Sequence, residues 1–392
     1  MPFSVTATDT GSSARLGMLA LGRGTVQTPC FMPVGTNATV KAMRTADLEG
    51  LGVNLILSNA YHLYLRPGAE VIGAAGGLHA FMGWPHNILT DSGGYQVFSL
   101  AQFRTVEEEG VAFRSHIDGS SHRLRPEDVV DFECLLGSDV LMPLDVCTAP
   151  GIPRDDAAGA MLRTVRWLAR SREHWLRSCT ARGPAPRGEL FGIVQGNFFP
   201  DLRTESAART VEIDLPGYAI GGLSVGEEYP VFRDLLHHTA ALLPGEKPRY
   251  LMGIGTPLYI LEAIEAGIDM FDCVLPTRTA RNAQVFTPDG PIALRNEKFR
   301  MDFRPIDTEC RCPTCTGHSR AYLRHLFKAK EIQAAVLATV HNLAFLQVLV
   351  RGARAAIARG AFLPFKHAFL DRYTGGQESA ADADPVGEGT AE

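Results

Sequence analysis

Ile88-Leu89-Thr90-Asp91 is a short run that begins apolar and ends on an acid, and Ser92-Gly93-Gly94-Tyr95 follows it directly. A stretch too short for a helix and nearly continuous in hydrophobicity reads as a strand buried on both faces. The pattern recurs at Phe31 to Val34, Asn54 to Ser58, Val140 to Asp145, Leu190 to Gln195, Tyr218 to Gly222, Tyr250 to Gly253 and Met270 to Leu275, which makes eight runs in all. Between them, Arg154 to Thr180 and Tyr229 to Leu243 are long enough and patterned well enough to be helices. Eight strands alternating with helices fit a (β/α)8 TIM barrel, and a doubly wound open sheet gives a similar alternation. The count of eight, with polar residues at the ends of several runs, favours the barrel, an α/β fold whose sites lie at the C-terminal ends of its strands.

The 392 residues are 45% hydrophobic and 21% charged, which suits a globular chain with ample core. After Leu275 the rhythm changes to a hairpin-like piece, Phe286 to Leu294, around Pro288-Asp289-Gly290, then a cysteine cluster and a helical stretch from Arg320 to Arg359. The expected organisation is a catalytic barrel over 1–285, an inserted metal-pinned subdomain over 286–345, a helical part packing on the barrel over 346–374 and a flexible acidic tail over 375–392. There is no internal repeat.

No basic segment followed by an apolar run opens the chain, and no stretch approaches the roughly 18 apolar residues needed to span a bilayer, so the expectation is a cytoplasmic protein with no membrane partner. Cys310, Cys312 and Cys315 are clustered, whereas Cys30, Cys134, Cys147, Cys179 and Cys273 are scattered, a distribution that suits a reducing compartment and one metal site rather than a disulfide framework. The net charge of −5 argues against a generally basic nucleic-acid binder, yet without the five acids of the tail the chain has 38 acids against 38 bases. Arg295 to Lys330 holds nine Lys or Arg against four acids, a local positive field of the kind a phosphate-contacting surface needs.

Cys310-Arg311-Cys312-Pro313-Thr314-Cys315 places three thiols within six residues, and His341 follows in the helical pattern Thr339-Val340-His341-Asn342. Three thiolates and one imidazole complete a tetrahedral zinc shell with no open position, so the expected cofactor is one structural Zn2+ per subunit. Spacing alone leaves His318 and His325 as rival fourth ligands.

Asp91 at a strand end, before two glycines that let backbone amides approach closely, suits a small planar ligand or an anion; a capped glycine turn is the bland reading. Asp145 and Asp272 are further acids at strand ends, and Gln195 and the Gly221-Gly222-Leu223 turn add an amide and backbone groups at the same rim. Carboxylates so arranged suit chemistry at an anomeric carbon, where one attacks and another moves a proton, and glycosidic bond exchange leads the reaction classes.

These residues resemble the bacterial tRNA-guanine transglycosylases, the queuine tRNA-ribosyltransferase family. The likeness runs through Thr28 to Thr36, His62 to Gly68, Thr90 to Leu100, Ala219 to Glu227, Phe271 to Ala283, Cys310 to Cys315 and His341-Asn342-Leu343. The resemblance implies that Asp272 is the nucleophile attacking the ribose C1′ of the target guanosine and that Asp91 donates and accepts the proton. It implies a base site of Asp91, Ser92, Gly93, Gly94, Tyr95, Asp145, Gln195, Gly222 and Leu223, with Asp145 pairing the amino and ring N–H edge, Gln195 and the Gly222 N–H reaching the carbonyl, and Tyr95 stacking. Contact with the tRNA anticodon loop is implied for Gly253, Ile254, Gly255, Thr256, Pro257, Leu258 and Tyr259, and for Thr277, Arg278, Thr279, Ala280 and Arg281. The zinc ligands become Cys310, Cys312, Cys315 and His341, and a homodimer with the zinc subdomain near the contact is expected.

Bacterial members of this family insert 7-aminomethyl-7-deazaguanine (preQ1) in place of guanine at wobble position 34 of GUN anticodons, within a U-G-U core. Cys147 and Val225 match the bacterial choice, since a bulkier base favours glycine there. Asn197 and Phe198 depart from the family pattern, which continues with a second glycine, and Thr256 replaces a common lysine. The rivals are queuine- or archaeosine-type exchange, a retaining glycosidase on the same barrel, which needs no closed zinc site beside a basic surface, and a non-catalytic tRNA-binding subunit, which has no need of both Asp91 and Asp272.

Overall fold

The computed structural model describes residues 3–100, 103–178 and 188–378. The chain opens with an antiparallel sheet of β1 (Phe3–Thr8), β2 (Arg15–Leu21) and β3 (Gly24–Thr28). Parallel strands β4 (Cys30–Pro33), β5 (Leu55–Asn59) and β6 (Asn87–Asp91) follow. A second antiparallel sheet is inserted next, β7 (Arg104–Val106), β8 (Val111–Arg114) and β9 (Ser121–Leu124). The parallel series then resumes with β10 (Val140–Leu141), β11 (Glu189–Val194), β12 (Gly217–Ile220), β13 (Arg249–Leu251) and β14 (Met270–Cys273). The eight parallel strands pair in the order β4-β14-β13-β12-β11-β10-β6-β5, and a parallel bridge from Val34 to Leu57 joins the two ends into a barrel. All eight apolar runs are barrel strands. The run from Val140 is much shorter than its sequence pattern suggests, because Pro143 has no N–H to continue the ladder after Met142 bonds the Thr90 carbonyl at 3.1 Å.

The continuous hydrophobicity has a simple cause: both faces of each strand are covered. Leu89, Val140, Phe191, Ile193, Ala219, Tyr250 and Met270 fill the lumen, while Ile88, Leu141, Leu190, Val194, Ile220, Leu251 and Phe271 pack against the surrounding helices. Because side chains alternate with period 2, Asp91, Gln195 and Asp272 fall on the lumen parity, one register step above the last apolar layer. Leu19 and Val26 of the N-terminal sheet belong to the same cluster as the lumen, so that sheet closes the opposite, N-terminal mouth. It is tied there by Arg15, whose Nε donates to Asp269 Oδ1 at 3.1 Å just before β14, a buried pair.

Beyond β14 come a short helix, Leu275–Arg281, the antiparallel pair β15 (Gln284–Val285) and β16 (Ile292–Ala293), and the helices Pro313–Gly317, Arg320–Lys328, Ile332–Ile357 and Phe362–Glu378. The single helical stretch expected from Arg320 is broken at Lys330, which adopts a positive φ of 59° between two separate helices. Ile332–Ile357 is long and apolar enough to cross a membrane, contrary to the expectation that no stretch is, but 72% of its apolar window is buried inside the protein, as for a core helix. The segment expected to be a tail from 375 begins as the last turn of Phe362–Glu378, and residues 379–392 lie outside the described ones. Cys30, Cys147 and Cys273 are free thiols; Cys134 departs from the all-reduced expectation and is disulfide-bonded.

Candidate active site

A cavity of about 300 Å³ opens at the C-terminal mouth of the barrel, lined among others by Asp91, Tyr95, Gln96, Asp145, Cys147, Gln195, Gly222, Leu223, Val225, Tyr250, Met252, Gly253, Asp272 and Arg278. Strands β6, β11, β12 and β14 and the loop after β10 each deliver one polar group to it, which is what a barrel does with residues at its strand ends. The structure thus brings together Asp91, Asp145, Gln195, Gly222 and Asp272, which lie far apart in sequence.

Asp272 is buried at the end of β14. Its Oδ1 accepts the Tyr250 hydroxyl at 2.5 Å and the Gly253 N–H at 2.8 Å, so both bonds fall on one oxygen and Oδ2 has no protein partner among the described contacts. Burial pushes its carboxyl above the usual range, and those two donors pull it back. Asp91 accepts Asn59 Nδ2 on Oδ2 at 3.0 Å. Burial first, and then the charges of Asp145 and Asp272, hold its pKa up at about 7. Asp145 is raised to about 6 by burial, against the Gln195 amide that donates to its Oδ2 at 2.7 Å. Burial and the two neighbouring carboxyls keep part of Asp91 protonated at neutral pH, and a group poised near 7 can both give and take a proton.

Two glycines set the spacing. A Cβ on Gly94 overlaps Asp145 Oδ1, and one on Gly221 meets Gln195 Nε2 at 2.6 Å. Gly94→Ala is therefore expected to displace the Asp145 carboxylate and weaken binding of a guanine-like base by about 100-fold, the loss of a charged hydrogen-bonding pair, with the melting temperature little changed; calorimetry with guanine reads it.

Not every residue in the sequence-derived set faces the cavity. Ser92 is buried and its hydroxyl accepts the Gly94 N–H at 3.3 Å, so Ser92 and Gly93 build the turn instead of lining the pocket. Tyr95 is half-exposed at the mouth. In the two segments expected to contact RNA, Ile254, Gly255, Pro257, Thr277 and Ala280 are buried and can only shape the backbone; Tyr259 packs on Phe232 at 4.4 Å. Gly253 and Arg278 are exposed, Thr256, Leu258, Thr279 and Arg281 are half-buried, and neither Arg278 nor Arg281 has a carboxylate partner among the described salt bridges. Sequence reading missed Asn59, Tyr250, Gln96 and Met252. Asn59 caps a helix and Tyr250 reads as one more apolar strand residue, so no local signal marks either.

On the far side of the Leu275–Arg281 helix, ligand atoms of Cys310, Cys312, Cys315 and His341 all lie within 4.8 Å of one another. His341 Nδ1 is 3.2 Å from Cys315 Sγ, while Nε2 donates to the Phe286 carbonyl at 2.7 Å. A carbonyl can only accept, so the proton sits on Nε2 and the Nδ1 lone pair points at the thiols, the tautomer that metal binding requires. The donor set fits a closed tetrahedral zinc shell. His318 stacks on Tyr322 at 5.2 Å and His325 is exposed, which removes both rivals. A second group, His237, Glu262 and Glu265, is already paired with a cation, Lys366, whose Nζ lies 2.6 and 2.5 Å from the two carboxylates.

Comparison with known proteins adds the last observation. The family model for queuine tRNA-ribosyltransferase matches residues 9–375. The chain is 51% identical over 376 residues to the queuine tRNA-ribosyltransferase of Caldanaerobacter subterraneus subsp. tengcongensis, covering 96% of this chain and 98% of that protein. It is 52% identical over 373 residues to that of Pelotomaculum thermopropionicum, covering 95% and 99%, and 50% identical over 370 residues to that of Symbiobacterium thermophilum, covering 94% and 90%.

Proposed function

Because the chain belongs to the queuine tRNA-ribosyltransferase family, we propose that it is a tRNA-guanine transglycosylase that exchanges guanine at wobble position 34 of GUN-anticodon tRNAs for preQ1. The single observation that carries the chemistry is that Asp272 and Asp91 share one cavity, the first with an oxygen that has no partner among the described contacts and the second held near 7.

In the first displacement Asp272 Oδ2 forms a bond to ribose C1′ as the glycosidic bond to guanine breaks, and Asp91 in its acid form gives its proton to the departing base. In the second, the Asp91 carboxylate takes a ring N–H proton from preQ1, whose nitrogen attacks C1′ and releases Asp272. Asp145 accepts two hydrogen bonds from the amino and ring N–H edge, Gln195 and the Gly222 N–H meet the carbonyl, and Tyr95 supplies a stacking face. Cys147 and Val225 line the cavity, which supports preQ1 over a bulkier base. The target nucleoside must leave its stack to reach C1′ contact, and Arg278 and Arg281, without a carboxylate partner among the described salt bridges, suit the loop phosphates. When bound, zinc supplies rigidity to the Cys310, Cys312, Cys315 and His341 cluster and takes no part in the exchange. Exposed Met301, Phe303 and Tyr322 on the zinc subdomain support a homodimer contact there, and the tRNA substrate suits a cytoplasmic enzyme.

The test is incubation with tRNA carrying labelled guanine at the wobble position: label release that depends on preQ1 supports the reading, and release from tRNA without a U-G-U loop contradicts its specificity. Base binding through Asp145 needs that carboxyl ionised, so a proton competes with the base. Because its pKa in the unliganded protein is raised to about 6, affinity for guanine is expected to fall about tenfold for each pH unit below that value and to level off above it, as calorimetry at pH 4.5 to 7.5 can check.

A further inference from the structure

Arg203 is fully buried and has no carboxylate partner among the described salt bridges. Burial pushes its guanidinium down to about 10, against the charge of Glu227. A guanidinium shut away from water is costly unless every N–H is used, and this one is spent on backbone carbonyls of two site loops. Nε donates to Asn197 O at 2.8 Å, NH2 to Gly222 O at 3.1 Å, and NH1 and NH2 to Gly221 O at 3.3 and 3.2 Å. Pulling the Gly221 and Gly222 carbonyls towards Arg203 fixes the orientation of the peptides at that turn, and with them the N–H groups that follow.

Asn197 extends the same connection in the other direction. It adopts a positive φ of 51°, which asparagine tolerates, and its Nδ2 donates to Thr148 Oγ1 and to Ala149 O, both at 2.9 Å. Thr148 and Ala149 belong to the loop that carries Asp145. A continuous set of bonds thus runs from the Asp145 loop through Asn197 to Arg203 and on to the Gly221-Gly222 turn. It passes behind the three groups, Asp145, Gln195 and Gly222, that read the base edge.

We propose that Asn197 and Arg203 are positioning residues that lock the loops after β10, β11 and β12 in the register needed to recognise a guanine-type base. The inference rests on the transglycosylase reading for the identity of the ligand. Lysine cannot reproduce a fork that reaches three carbonyls, and Asn197→Gly keeps the backbone conformation while deleting the bridge to Thr148 and Ala149.

The experiment measures guanine and preQ1 affinity by calorimetry without tRNA, tRNA affinity by gel shift, and melting temperature, for the native chain, Arg203→Lys and Asn197→Gly. Expected are a loss of base affinity of about tenfold or more for Arg203→Lys and of about threefold to tenfold for Asn197→Gly, with a clearly smaller loss of tRNA affinity in both, since the loop contacts of the RNA are untouched. Folded variants with native base affinity overturn the proposal, and so does a parallel fall of base and tRNA affinity, which marks general destabilisation. If Arg203→Lys does not fold, Asn197→Gly decides alone. A native chain that binds neither base instead contradicts the transglycosylase reading.

Discussion

Asp272→Asn is expected to abolish guanine exchange, lowering its rate by about 10⁴-fold or more, the scale seen when a covalent nucleophile is removed. The substitution is nearly isosteric. Asn presents a carbonyl oxygen where Oδ1 accepts Tyr250 and Gly253, so the bonds that hold the side chain at 2.5 and 2.8 Å persist. What is lost is the anionic second oxygen. The variant should still bind guanine within a few-fold of the native affinity, because Asp145, Gln195 and the Gly222 turn are untouched. It should also carry a secondary signature. Asp272 is one of the charges that raise Asp91, so removing it lowers the Asp91 pKa, which NMR of a selectively labelled carboxyl detects. A variant that exchanges guanine at even one-tenth of the native rate leaves Asp272 with no nucleophilic role.

Removal of the zinc proposed for the Cys310, Cys312, Cys315 and His341 cluster is expected to have the second large effect. Structural zinc sites contribute on the order of 10 kcal/mol to the folding of the unit they hold, and this unit is not isolated from the catalytic centre. His341 and Asn342 are neighbours on the Ile332–Ile357 helix. Asn342 accepts the Phe286 N–H at 3.0 Å and donates to the Pro276 carbonyl at 3.0 Å, inside the helix that follows Asp272 and carries Arg278 and Arg281. Chelation, or Cys315→Ser, is thus expected to lower the melting temperature by about 10 °C or more. It should also weaken tRNA binding by about tenfold or more as the arginines lose their support. Guanine binding should survive, since the barrel strands and their ladder do not pass through the subdomain. Unchanged tRNA affinity in the zinc-free protein contradicts this coupling.

Both effects were partly legible in the residues. The eight barrel strands could be read because parallel strands covered on both faces leave unbroken apolar runs, and the acids at their ends stand out against that background. Cys310 to Cys315 stands out as a candidate metal cluster by spacing alone. The two antiparallel sheets could not be read so: β7 and β9 are three or four residues long with arginines, histidine and serine, and β1 has mostly exposed positions. Tyr250, Asn59 and Arg203 were equally silent. Tyrosine in an apolar strand, asparagine at a helix start and arginine in an amphipathic helix each have an ordinary local explanation, and only the closed barrel reveals what their polar ends meet. Asn197 was visible as a departure from the family pattern, but its bridge to Thr148 and Ala149 depends on two loops that are adjacent only in space.

In this mechanism a carboxyl oxygen of Asp272 becomes covalently joined to the tRNA. Mixing the native protein with a U-G-U anticodon tRNA without any incoming base, quenching in denaturant and mapping the RNA-linked peptide by mass spectrometry tests it directly. The expected result is a single adduct on the peptide containing Asp272, lost on addition of preQ1 before the quench. An adduct on another residue, or rapid guanine exchange with no adduct at any time point, contradicts a covalent role for Asp272.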